Sequence, residues 1–196
     1  MIKVGLTGGI GSGKTIVSRI FSLLEVPIFN ADIEAKSLML KQPLKAKIIN
    51  LLGADAYTKE GQLNKKYIAN IIFSQKEKLQ QINAIVHPAV ALAFDNFAKK
   101  NKQAPYIIKE AAILIENKMY QSLDKLILVT ANEEKRIQRV VERDNLTKKE
   151  VKAKIQNQMT DEEKKQYVNF VVKNNETELL IPQIEKIHQE LTHKRK

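Results

Sequence analysis

Cysteine is absent from the 196 residues, which excludes disulfides, thiolate nucleophiles and thiolate metal sites. Stability and chemistry must come from other side chains, and a reducing cytoplasm is the expected setting. No window approaches the about 20 apolar residues that a membrane span needs. The opening run Met1-Ile2-Lys3-Val4-Gly5-Leu6 is too short for the apolar region of a signal peptide. A soluble protein with no membrane partner is expected. Glycine is scarce as well: of seven, five (Gly5, Gly8, Gly9, Gly11, Gly13) fall in the first thirteen residues, and none follows Gly61. A second glycine-rich ligand loop is therefore excluded, and the unusual backbone sits at the N-terminus.

The length suits one medium domain, or one domain with an insertion. With 43% apolar residues it can hide the roughly 70% of its unfolded surface that a domain of this size buries. The formal charge of +11 and pI near 9.6 favour polyanionic or phosphorylated partners. Because the lysines are scattered with acids between them, a solvated surface explains them better than a nucleic-acid patch, which would cluster charge on one face.

Near-continuous apolar runs at Ile2–Leu6, Pro27–Asn30, Tyr106–Ile108 (opening into Ala111–Ile115), Leu126–Val129 and Val168–Val172 predict five strands covered on both faces. That is the pattern of a parallel sheet flanked by helices, an α/β fold. Lys14–Leu24 predicts a helix burying Ile16, Ile20, Leu23 and Leu24. Helical periodicity fills the stretch between the second and third strands (Leu44–Leu52, Tyr67–Phe73, Leu79–Val86, Pro88–Ala98), far longer than an ordinary crossover, so a helical insertion is expected there. Helices at Glu133–Asp144, Lys148–Met159 and Leu179–Leu191 follow.

Gly8-Gly9-Ile10-Gly11-Ser12-Gly13-Lys14-Thr15 matches G-x-x-x-x-G-K-[ST] in full, and it sits between a strand and a helix, where the mechanism requires it. Glycines let successive N–H groups form an anion-binding nest, and the helix N-terminus adds partial positive charge. Lys14 is placed for the β- and γ-phosphates and the Thr15 hydroxyl for Mg²⁺. A mere connecting turn would not require Lys and then Thr at the last two positions. Regulatory GTPases are excluded, since neither D-x-x-G nor N-K-x-D occurs: Asn50 and Thr58 precede Gly53 and Gly61 by three, and Asn117-Lys118-Met119-Tyr120 lacks the aspartate. Motors and transporters bring larger partner domains. A small-molecule kinase remains.

Asp32 lies just past the second strand, at the sheet edge where such folds bind ligands. It fits a carboxylate that orients an acceptor hydroxyl, and equally a helix cap before Ile33–Leu40. Of only five arginines, Arg136, Arg139 and Arg143 fall at i, i+3, i+7 on one helix, opposite Ile137, Val140 and Val141. Concentrating the forked guanidinium there points to phosphate oxygens, with surface ion pairs to Glu133, Glu134 and Glu142 as the alternative. His87 before Pro88 reads as a core or capping histidine at a first helical turn, and a lone His argues against metal. His188 and His193 read as surface.

These residues resemble the dephospho-coenzyme A kinase family. The resemblance rests on Leu6–Lys14, Asn30-Ala31-Asp32, Ile82–Pro88, Leu114-Ile115-Glu116, Arg139 through Arg143-Asp144, Gln158 and Val171–Asn175, in that order. It implies a five-stranded parallel phosphate-loop fold, with a nucleotide core over 1–32 and 105–196, a helical acceptor lobe over 33–104 and lid helices over about 133–160. The implied reaction is phosphorylation of the ribose 3′-hydroxyl of dephospho-CoA by ATP with Mg²⁺, without nucleic-acid partners. Catalytic roles fall on Asp32, Lys14, Arg139 and Arg143. ATP contacts fall on Gly9, Gly11, Ser12, Gly13, Lys14, Thr15, Ile16, Asn174 and Asn175, with the last two near adenine. Substrate contacts fall on Asp32, His87 and Glu110. Two departures touch the acceptor site: Glu110-Ala111-Ala112 stands where the family usually has Asp-Val-Pro, and Asn30 replaces a frequent Asp. Another small acceptor, or a nucleic-acid-associated ATPase, would be the competing readings.

Overall fold

The computed structural model describes residues 1–193, apart from the side chains of Phe73 and Lys76. In chain order the elements are β1 Ile2–Thr7, α1 Lys14–Leu23, β2 Ile28–Asn30, α2 Ala31–Met39, α3 Leu44–Leu52, α4 Lys65–Ser74, α5 Lys76–Lys100, β3 Tyr106–Glu110, β4 Lys125–Thr130, α6 Glu133–Asp144, α7 Lys148–Gln156, α8 Asp161–Lys165, β5 Phe170–Lys173 and α9 Leu180–Thr192. Two compact units emerge: Met1–Phe29 together with the chain from Asn101, and Asn30–Lys100.

The first unit is built on a five-stranded parallel sheet of order β2-β3-β1-β4-β5. β1 lies between β3 and β4, with Leu6 opposite Glu110 on one side and Gly5 opposite Leu126 on the other. Alternate residues of the central strands, Val4 and Leu6, Tyr106 and Ile108, Ile127 and Val129, pack on Val17 and Phe21 of α1 and on Ile184, Ile187 and Leu191 of α9. The opposite-facing Ile107, Leu126 and Leu128 are buried too. Burial on both faces is why these strands read as unbroken apolar runs.

Three expectations for this unit are corrected. Ile20 and Leu24 pack partly buried on the core as expected, but the residues that α1 buries are Val17, Ser18 and Phe21, whereas Ile16 is 44% and Leu23 83% exposed. The helix is wedged against both the sheet and α9, so its inward stripe is displaced from the one that residue type alone favoured. The run Ala111–Ile115 does not extend β3; it turns at once, with Asn117 N–H bonded to Ile113 O. The run is apolar because Ala111, Leu114 and Ile115 are buried as a turn beneath the sheet edge. His188 is likewise more than surface: it is half-buried, and its Nδ1 shares a 2.8 Å hydrogen bond with the hydroxyl of buried Tyr106.

The second unit is helical. Its longest element, α5, buries Ile82, Val86, Val90, Phe94 and Ala98 at strict i+4 spacing. That stripe runs straight through Pro88, which therefore lies inside one 25-residue helix, not at the first turn of a second one. Pro88 is exposed and so is Ala84, whose carbonyl the proline leaves without its helical donor, so water can take that bond. Hydroxyls tie the smaller helices together, Tyr57 Oη to Met39 O at 2.6 Å and Tyr67 Oη to Leu52 O at 2.9 Å. Among the described residues no helix is long and apolar enough to cross a membrane.

The corrected face of α1 is directly testable. Phe21→Ala should cost about 3–5 kcal/mol by chemical denaturation, as expected for a large buried side chain. Leu23→Ser should stay within about 0.5 kcal/mol. Equal effects would mean that the buried stripe has been misplaced.

Candidate active site

The phosphate loop joins β1 to α1, and its glycines are required by contacts as well as by conformation. Gly11 has φ 77°, and a Cβ there would lie 2.5 Å from Arg136 O; Gly13 has φ 94°, and a Cβ would lie 2.0 Å from Asn174 Nδ2. Gly13 is also the N-cap of α1 and supplies no side-chain cap. The Ile16 and Val17 N–H groups close onto Gly13 O at 3.1 and 3.3 Å, and the helix N-terminus presents its partial positive charge to an anion.

The loop's carbonyls are taken up from elsewhere in the chain. Arg136 Nε donates to Ile10 O at 2.9 Å, Arg139 to Gly11 O at 3.3 Å and Asn174 Nδ2 to Ser12 O at 2.8 Å. Lys14 Nζ donates to Gly8 O at 2.7 Å, with Gly9 O at 3.4 Å. On the donor side, Gln158 Oε1 accepts the Ile10 N–H at 2.8 Å, and Ser12 N–H closes onto Gly9 O at 3.1 Å. Ser12 itself is fully buried.

A cavity of about 320 Å³ opens on this loop, lined by Gly11, Gly13, Lys14, Thr15, Ile16, Arg19, Arg139, Val140 and Arg143. The three clustered arginines have separate surroundings. Arg136 is only 8% exposed and braces the loop. Arg139 is part of the cavity wall and also donates to Asn174 O at 3.0 Å and Glu176 at 2.8 Å. Arg143 is 61% exposed and forms a bidentate pair with Asp144, both contacts at 2.7 Å. Sequence spacing did not foresee that Arg136, one turn nearer the helix start, is the most buried of the three. Glu176, which binds both Lys135 and Arg139, had no distinguishing signal in the sequence. Those two cations hold its carboxyl down to about 2.

Asn175 Oδ1 accepts the N–H of Asn132, the N-cap of α6, at 2.8 Å. Glu110 ends β3 and is buried. Asp32 and His87 belong to the helical unit, on α2 and α5. The alternative reading of Asp32 as a helix cap is corrected: Asn30 is the N-cap, its Oδ1 accepting the Ile33 N–H at 2.9 Å. Asp32 stands exposed in the first turn, where a carboxylate is favoured by the helix dipole but caps nothing.

A protein-family model described as dephospho-CoA kinase matches residues 2–179. The chain belongs to that family. A dephospho-CoA kinase of Bacteroides fragilis is 36% identical over 184 residues, covering 93% of this chain and 89% of the relative. A solved structure from Thermus thermophilus superposes with a TM-score of 0.86 at 28% identity, covering 98% of each chain. The dephospho-CoA kinase structure from Campylobacter jejuni shares the fold, with a TM-score of 0.70 at 24% identity over 97% of this chain and 96% of that one. Family membership makes the chain a kinase and favours dephospho-CoA over another small alcohol as acceptor.

The clamp on Glu176 yields a pH prediction. Its carboxyl is lowered from 4.5, so its stabilising contact is complete above pH 4.5 and is lost as pH falls toward 2. NMR titration should place its midpoint near 2, and Lys135→Ala should move that midpoint up toward 4.5. A wild-type midpoint at the ordinary glutamate value would show that neither cation engages it in solution.

Proposed function

We propose that the phosphate-loop cavity holds the ATP triphosphate and that Asp32 addresses the acceptor hydroxyl. As a dephospho-CoA kinase, the chain transfers the γ-phosphoryl group of ATP to the ribose 3′-hydroxyl of dephospho-CoA, the last step of CoA synthesis. The observation that carries the residue assignment is the conjunction of a complete phosphate loop with Arg139 and Arg143 on the wall of one cavity.

Phosphoryl transfer through a loose transition state asks the protein mainly for positioning and for compensation of charge on the transferring oxygens. In this reading Lys14 leaves the Gly8 carbonyl for the β- and γ-phosphates. Arg139, held by three acceptors, is already in place. Arg143 exchanges Asp144 for phosphate oxygens, an exchange favoured because an exposed ion pair contributes little. Asp32 orients the 3′-hydroxyl and takes its proton late, which an ordinary carboxylate can do. His87 and Glu110 complete the acceptor contacts, the helical unit serves as the acceptor lobe, and Asn174 and Asn175 border the adenine.

Mg²⁺ fits the donor set. The described residues contain no group of three or more His, Asp or Glu arranged as a metal cage, and the exposed Thr15 hydroxyl borders the cavity. An ion that keeps several waters and binds mostly through substrate phosphates needs no more from the protein than such a hydroxyl. When bound, it would neutralise charge on the β- and γ-oxygens.

Because Asn30 holds the cap, Asp32→Asn should leave the melting temperature nearly unchanged while lowering kcat roughly 10²-fold or more, with ATP binding intact. Near-normal kcat would remove Asp32 from the chemistry. Arg143→Lys preserves charge but loses the fork, so kcat for dephospho-CoA phosphorylation should drop without loss of stability. A wild-type rate in that variant would make Arg143 a solvated surface residue.

A further inference from the structure

On the flank of the phosphate loop lies a buried cluster of charge that none of the roles above uses. Lys164, on α8, is completely buried, and its Nζ stands 2.9 Å from Glu116 Oε1. The two are close enough for an ion pair but off the angle of a hydrogen bond. Lys164 Nζ, both Glu116 carboxylate oxygens, Asn117 Nδ2 and Asp161 Oδ1 are all buried without hydrogen-bond partners among the described residues. Desolvating two ions is costly, and an apolar pair of the same volume would serve stability as well or better. Orphaned polar groups gathered in one place therefore call for another reason.

The reason lies in what α8 carries. The helix starts three residues after Gln158, whose amide oxygen accepts the Ile10 N–H at the tip of the phosphate loop. In its first turn is Asp161, which burial pushes above the ordinary aspartate range while the charges of Arg136 and Lys164 oppose that shift. Arg136 is the residue that holds the Ile10 carbonyl. Ile10 is thus gripped at its N–H from the α8 side and at its C=O from α6, with Asp161 in the field of the second grip. The other end of the buried pair, Glu116, belongs to the turn that follows β3, the strand paired with β1. A second contact fastens that turn to the same helix end, with the Tyr120 and Tyr167 rings 5.3 Å apart.

We propose that Lys164, through its buried ion pair with Glu116, is a positioning residue for nucleotide binding. It fixes α8 so that Gln158 and Arg136 hold Ile10 and keep the phosphate loop in its anion-binding shape. A directional requirement of this kind explains why charge is retained where packing alone would favour hydrocarbon. The proposal rests on the loop being the ATP site, and its test separates the two.

ATP affinity with Mg²⁺ would be measured by calorimetry, and the KM for dephospho-CoA by ADP release, for wild type, Lys164→Met, Asp161→Asn, Arg136→Lys and the Asp161→Asn/Arg136→Lys double variant. Lys164→Met and Asp161→Asn should each weaken ATP about three- to thirtyfold, the range for residues acting through others. Their effect on the KM for dephospho-CoA should be smaller. The double variant should lose less than the product of its single effects, because both act on one grip. A merely structural role would lower the melting temperature and scale both substrates alike. Should Lys164→Met fail to fold, Asp161→Asn and the cycle decide alone. Unchanged ATP affinity in the folded variants, or independent multiplication in the cycle, overturns the inference. Absence of ATP binding by the wild-type protein would instead overturn the assignment of the loop.

Discussion

A glycine-rich loop can turn its N–H groups toward phosphate only if its carbonyls, which then point the other way, find donors of their own. In this protein that condition is met by side chains from far along the chain. The carbonyl of Ile10 is met by Arg136, that of Gly11 by Arg139 and that of Ser12 by Asn174, while the Ile10 N–H is returned to Gln158. The donors come from α6 and from the end of β5, more than a hundred residues downstream. The motif is local in sequence, but its shape is maintained by the most distant part of the chain.

This division explains the uneven use of arginine. Lysine, a point charge on a flexible stem, suffices for a solvated surface and for Lys14 at the loop. A carbonyl that must be held from a fixed direction is better served by a planar guanidinium with several donors. Arg136 is committed to the backbone and is buried for that reason. Arg139 combines backbone carbonyls with the Glu176 carboxylate and still borders the cavity. Arg143 pairs with its exposed neighbour Asp144. One helix face thereby passes from bracing the loop to lining the cavity within two turns.

Removing the cap from Asp32 has a similar logic. A side chain used to terminate a helix is not available to a substrate, and Asn30 takes that task two residues earlier. The asparagine that departs from the family's usual Asp is therefore a good cap in its own right, and it leaves the following carboxylate exposed.

The sequence by itself determined the parallel α/β fold, the phosphate loop and the helical insertion. Each is written in local terms: unbroken apolar runs, glycines followed by Lys-Thr, and i+4 periodicity. It also brought out the arginine cluster, because scarcity made three arginines on one helix conspicuous. Tertiary structure decided what periodicity cannot express. It rotated the buried face of α1 toward Val17 and Phe21, since a helix wedged between a sheet and α9 buries what those neighbours leave room for. It carried α5 through Pro88, since a continuous apolar stripe outweighs one lost hydrogen bond on an exposed face. It distinguished Arg136 from Arg143, and it paired Lys164 with Glu116, because the contacts that define them join residues 48 to 126 positions apart. No pattern of neighbours along the chain encodes which carbonyl will need a donor once the loop has turned.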